Sequence, residues 1–180
     1  MKKEEYQIIE ECKQGSRSAF KYIFDTYSKK MLAIASRYTV DLGLAEDILQ
    51  ESFIKVFQTI NKYESKGSFE GWLRRIVVNT ALNHYTKKKT RGSEYSTDEL
   101  EVVEDVSMNI DAQMNGKELL EIIQQLPDGY RMVFNLNVIE GYTHKEIADK
   151  LGITEGTSKS QLAKAKRVLR KILEKYKLVA

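Results

Sequence analysis

The sequence predicts an all-α protein of two small helical domains joined by a flexible acidic linker. Composition is the first reason: 180 residues contain a single proline, and long stretches are rich in Ile, Leu, Ala, Glu and Lys, which favours helix over sheet. The second is periodicity, because apolar residues recur at helical spacing in two separate blocks. Charge is the third. Residues 1–90 carry 16 Lys+Arg against 11 Asp+Glu, residues 91–116 one Arg against 7 acids, and residues 117–180 12 basic against 8 acidic residues. The modest overall charge of +3 therefore conceals two basic blocks around an acidic segment, the pattern of two modules that meet a polyanion. The expected boundaries are 1–90, 91–116 and 117–180.

The first block reads as four helices. A short one carries Tyr6, Ile8, Ile9 and Cys12 and stops at Gly15. The second aligns Ala19, Phe20, Ile23, Phe24, Tyr27, Met31, Leu32 and Ala35 on one face. A third follows Asp41, with Ala45, Ile48, Leu49, Ser52, Phe53, Val56, Phe57 and Ile60 inward. After the polar loop 61–67, Ser68 is expected to cap a fourth helix that buries Phe69, Trp72, Leu73, Ile76, Val77 and Thr80. That helix runs into Lys87, Lys88 and Lys89.

Between Thr90 and Asn115 the periodicity fails and Ser, Thr, Asp, Glu and Gly dominate, so a linker is expected, with a helix beginning near Asp111. In the last block Leu119, Leu120, Ile122, Ile123 and Leu126 mark one helix, ended by Pro127. Pro127 is expected to open the next helix at its first position, with Val133, Phe134, Leu136 and Ile139 inward and Gly141 as the stop. Thr143 and Glu146 have capping-box spacing ahead of Ile147, Ala148 and Leu151. Gly152 supplies a tight turn, and a final helix starts near Thr154.

Several function classes are disfavoured. Cys12 is the sole cysteine, so an intrachain disulfide and a cysteine-built metal site are both impossible. The N-terminus leads into an amphipathic stretch and not an apolar signal core, and no apolar run approaches the roughly 18 residues of a membrane span. A soluble cytoplasmic protein without direct membrane insertion is expected. No nucleophile–base pair, phosphate-binding glycine loop or metal-ligand cluster is recognisable, so neither catalytic residues nor a cofactor are assigned. His84 reads as a hydrogen-bonding residue and not a metal ligand. Trp72, spaced with Phe69, Leu73 and Ile76, reads as core packing in preference to base stacking.

A short capped helix, a glycine turn and a longer basic helix is the layout of a helix-turn-helix. Ile147, Ala148, Leu151, Ile153 and Leu162 would lock its two helices. The second helix would present Glu155, Thr157, Ser158, Lys159, Ser160 and Lys164 to a major groove about 12 Å wide. Lys166, Arg167, Arg170 and Lys171 lie further along and suit phosphates.

The runs Leu126–Phe134, Glu140–Ala148 and Gly156–Lys166 resemble region 4 of the sigma-70 family of RNA polymerase sigma factors, whose second helix reads the promoter −35 element. The resemblance places Lys159, Ser160 and Lys164 in the groove. The family often has Arg at the first and last of these, whereas lysine is a point charge without the bidentate reach to guanine. Ala45–Phe57 resembles region 2.2, which docks on the clamp coiled coil of the polymerase β′ subunit, and implies a contact patch of Glu46, Asp47, Gln50 and Glu51. Lys66–Asn83 resembles regions 2.3 and 2.4, which hold the unpaired −10 strand. Arg74, Arg75 and Lys87 would track phosphates, Asn79, Asn83 and His84 would meet base edges, and the loop carrying Tyr63 and Lys66 would hold a flipped base by stacking and hydrogen bonding.

Two modules in the family's order, with no room for a third domain, are similar to the minimal extracytoplasmic-function group. That resemblance implies core RNA polymerase (β′ clamp and β flap) and promoter DNA as partners, an anti-sigma factor as inhibitor, and a monomer when free. A linker of about 25 residues spans at most about 80–90 Å, enough to bridge two promoter elements. Its acidity fits an RNA mimic in the polymerase's basic channels or a merely solvated spacer. Two other readings stay open on the sequence alone. A stand-alone helix-turn-helix regulator with a helical sensor or dimerisation domain would bind duplex DNA by itself as a dimer, whereas a sigma factor is a monomer that acts on promoters through core polymerase. A helical adaptor would show little salt-dependent DNA affinity.

Overall fold

The computed structural model describes residues 3–90 and 116–177. The expected linker and the helix start near Asp111 lie outside the described residues, apart from Gly116 at the linker's end. Every regular element among the described residues is helical, and the chain divides into two compact units, Met1–Tyr85 and Thr86–Ala180.

The N-terminal unit contains α1 (Lys3–Lys13), α2 (Arg17–Ala35), α3 (Leu42–Thr59) and most of α4 (Phe69–Thr90), with a 3-10 turn at Ile60–Lys62. Local chemistry sets the boundaries. Gly15 takes φ +83° after α1, a conformation glycine adopts without steric cost. Ser16 then caps α2, its hydroxyl accepting from the Ala19 amide, and Asp41 caps α3 by accepting from Gly43 and Leu44. The Ser68 hydroxyl accepts from the Gly71 amide at 3.1 Å in the first turn of α4.

Ile9, Ile23, Met31, Ile48, Phe53, Val56, Ile60, Phe69, Leu73 and Val77 form the core, all at most 3% exposed. The aromatic residues fall into two groups. Phe20 and Phe57 lie 4.6 Å apart between ring centres, and Phe24 and Phe53 4.9 Å apart. Phe69 is ringed by Tyr27, Tyr63 and Trp72 at 5.8, 5.2 and 5.7 Å. The expected stripe on α2 needs one adjustment: Phe24 is 38% exposed, at the border of the core. Burial, with Glu11 beside it, pushes the Cys12 thiol up to about 11, so it stays protonated at neutral pH.

The C-terminal unit is built from α5 (Gly116–Gln124), α6 (Asp128–Phe134), a wider π turn at Asn135–Ile139, α7 (His144–Leu151) and α8 (Glu155–Lys177). α8 is the spine against which α5, α6 and α7 pack. Pro127 stands one position earlier than expected, as the N-cap of α6 and not its first helical residue. The π turn was not expected from the sequence; it closes with the Glu140 amide donating to the Asn135 carbonyl at 2.9 Å. Gly141, at φ +78°, ends it.

Candidate nucleic-acid and polymerase interfaces

The helix-turn-helix forms as its residues demand. The Thr143 hydroxyl accepts from the Glu146 amide at 3.3 Å, and the Glu146 carboxylate accepts from the Thr143 amide at 2.8 Å, completing the capping box. The Thr143 backbone amide, and then its hydroxyl, hold the Glu146 carboxyl below the usual carboxylate range. Gly152 makes the turn at φ +63°, and its amide donates to the Ala148 carbonyl. The Thr154 hydroxyl accepts from the Thr157 amide at 3.0 Å, so the final helix begins just after Thr154. Ile147, Ala148, Leu151 and Leu162 are buried between the helices, and Ile153 is half-buried.

On α8, Glu155 and Lys159 are exposed one turn apart, with 4.0 Å between their charged ends. Arg167 is exposed, while Thr157, Ser160 and Lys164 are half-buried. The Ser160 hydroxyl donates back to the Thr157 carbonyl at 3.1 Å. Ser158 is a correction to the expected groove face. It is 0% exposed, with Oγ 2.8 Å from Nδ1 of His144, because a residue 100° around the helix from Thr157 and Lys159 faces α7.

On α4, Arg75, Asn79, Asn83 and Lys87 are all exposed at i, i+4 spacing, a ridge of about 18 Å. Arg74 is half-buried beside it. Lys66 is exposed in the preceding loop and pairs with Glu64 at 2.6 Å. Tyr63, in the same loop, is also a correction. Its ring is only 3% exposed, packed on Phe69 and Trp72, and its hydroxyl donates to the Gly67 carbonyl at 2.9 Å. It braces the loop from inside and offers no face for a base to stack on. Trp72 joins the same cluster and is half-buried, in line with packing.

Glu46, Asp47 and Gln50 are exposed on α3. Glu51 turns towards α4 instead. Its two oxygens lie 2.6 Å from Lys55 Nζ and 2.7 Å from His84 Nε2, and Lys55 donates to the Thr80 hydroxyl at 3.2 Å. Glu51 and His84, expected on separate contact surfaces, thus bind each other across α3 and α4.

Hydrogen bonds from Lys55, then His84, hold the Glu51 carboxyl below its ordinary value. A depressed carboxyl stabilises the fold fully above the unfolded pKa, near ~4.3, and the contribution disappears as pH falls through the lower folded value. The N-terminal unit should therefore lose more thermal stability on acidification below about pH 4.3 than the Glu51→Gln variant does. Parallel melting curves against pH for the two proteins would contradict this.

Two features escaped the sequence reading. Leu42 and Ile54 are 63% and 56% exposed, flanking the acidic and amide residues on the outer face of α3. Ile54 was legible as a residue out of phase with the buried stripe. Arg131 is the other: it is 3% exposed, donating to the Gln124 and Leu126 carbonyls at 3.1 and 2.9 Å and pairing with Asp128.

Residues 23–91 match the family pattern for Sigma-70 region 2, and residues 116–169 that for Sigma-70, region 4. The chain belongs to the sigma-70 family, in its extracytoplasmic-function group. This sigma factor is 28% identical to the RNA polymerase sigma-H factor of Pseudomonas aeruginosa, over 95% of this chain and 94% of that protein. It is 29% identical to the ECF RNA polymerase sigma-E factor of Escherichia coli K12, over 90% of each. Its fold resembles a solved sigma factor RpoE in complex with the anti-sigma factor NepR from Bartonella quintana, at TM-score 0.50 and 21% identity over 86% of this chain and 96% of that one. The sigma factor serves promoter-specific transcription initiation and is not an enzyme. Among the described residues, no helix is long and apolar enough to cross a membrane.

Proposed function

We propose that the sigma factor docks on core polymerase through Glu46, Asp47 and Gln50 of α3 and captures the unpaired −10 strand along α4. Arg74, Arg75, Lys66 and Lys87 hold phosphates there, and Asn79 and Asn83 meet base edges. At the −35 element, Glu155, Thr157, Lys159, Ser160 and Lys164 face the groove and Arg167 the backbone. Residues 1–90 are the region 2 domain, 91–116 the acidic connection, and 117–180 the region 4 domain. The β flap and an anti-sigma factor are further partners, and the free protein is a cytoplasmic monomer.

One observation carries this reading: on a single chain, an exposed row of Arg, two Asn and Lys along α4 coexists with a complete helix-turn-helix. A phosphate-binding ridge with amide groups suits single-stranded DNA, and the second unit suits duplex.

Run-off transcription with sigma-free bacterial core polymerase on a host promoter library tests it. Start-site-specific transcripts that require this chain are expected. No transcripts and no core binding, with tight DNA binding by the chain alone, would replace this reading with a stand-alone regulator.

A further inference from the structure

We propose that His144 and Ser158 form a positioning pair that fixes the rotation of α8, and so the base preference of its exposed side chains; this rests on the −35 reading above. His144 is the first residue of α7, directly after the Thr143 cap. Ser158 lies in the second turn of α8, between Thr157 and Lys159, and is fully buried. Their side chains meet at 2.8 Å, tying the start of the supporting helix to the DNA-reading end of its partner.

The neighbouring contacts explain why a polar pair matters here. Ile147, Ala148, Leu151 and Leu162 hold the two helices together by apolar packing, which is non-directional and tolerates small rotations. A hydrogen bond weakens steeply with angle and distance. Side-chain tips on a helix lie about 5–6 Å from its axis, so a rotation of roughly 20° displaces them by about 2 Å. Such a shift exceeds the tolerance of a hydrogen bond to a base edge. The pair touches no DNA itself; it acts through Lys159, Ser160 and Lys164, which the rotation aims.

The test uses the full chain with core polymerase on the strongest promoter from the run-off library, plus versions of that promoter with single −35 base pairs changed. The readout is the discrimination ratio, cognate over altered. Ser158→Ala and His144→Phe are each expected to lower cognate run-off about tenfold and to flatten that ratio. The double variant should lose no more than either single one, and core affinity should stay unchanged. His144→Asn, whose amide stands where the imidazole has Nδ1, should restore the ratio.

An unchanged ratio alongside a lower melting temperature would overturn the proposal in favour of plain packing. Loss in Ser158→Ala with wild-type behaviour in His144→Phe would overturn it in favour of direct DNA contact by Ser158. If the wild-type chain is silent, the initiation reading fails instead. The same ratio, measured as binding of the full chain to duplexes it selects from random-sequence DNA, then decides the pair by the same outcomes.

Discussion

Phe69→Ala is expected to destabilise the N-terminal unit by about 3–5 kcal/mol, the range for removing a fully buried aromatic ring. Phe69 is 1% exposed and touches Tyr27, Tyr63 and Trp72, so the deletion opens a cavity between α2, the 61–67 loop and α4. A small domain has only about 5–15 kcal/mol of net stability, so this is a large part of it. Trp72 is the sole tryptophan, and its fluorescence reports on this unit alone. At a slope of about 1.5 kcal/mol per molar urea, the Trp72 transition should move down by roughly 2–3 M. Strand capture should fail with it, because the cluster anchors the start of α4. An unshifted Trp72 transition would mean that the four rings are not the cooperative core of the unit.

The elements legible in the sequence share one property: their determinants are local. Asp41, Ser68 and the Thr143–Glu146 box mark helix starts through bonds to residues two or three positions away. The buried stripes of α3 and α4 follow from helical period. Sequence reasoning failed where a polar side chain finds its partner on another element. Arg131 reads as surface by residue type, yet it closes the end of α5 by binding the Gln124 and Leu126 carbonyls.

Tyr63, Ser158, Glu51 and His84 were all placed on contact surfaces for the same reason. A polar residue beside a binding motif defaults to the ligand when its tertiary partner is unseen. Lys159 follows Ser158, Asn83 precedes His84 and Gln50 precedes Glu51, and each of these neighbours is exposed. Helix phase, which sets which side chain of each motif stays exposed and which packs inward, separates a residue from its neighbour one position away. The π turn had no local marker, since Asn135–Ile139 contains neither Gly nor Pro.

The Lys159→Ala/Lys164→Ala double variant is the second large expectation. Lys159 is 63% exposed and Lys164 half-buried, five residues apart on α8 and about 140° around it. On the −35 reading proposed above, they would reach different parts of the groove. Losing one such contact costs about 1–3 kcal/mol, so −35-dependent run-off should fall about a hundredfold for the pair, with core affinity unchanged. Salt dependence separates what each lysine touches. A lysine that neutralises a phosphate contributes about 0.9 to the slope of log affinity against log salt, whereas one held on a base edge changes discrimination at one position. Lys159 also has Glu155 one turn away, at 4.0 Å, so its alanine variant leaves an acidic group facing the DNA. Lys159→Ala should then cost more than Lys164→Ala, and adding Glu155→Gln should recover part of the difference. If the two single variants lose equally and Glu155→Gln has no effect, Lys159 does not meet the DNA beside Glu155, and the orientation assigned to α8 is wrong.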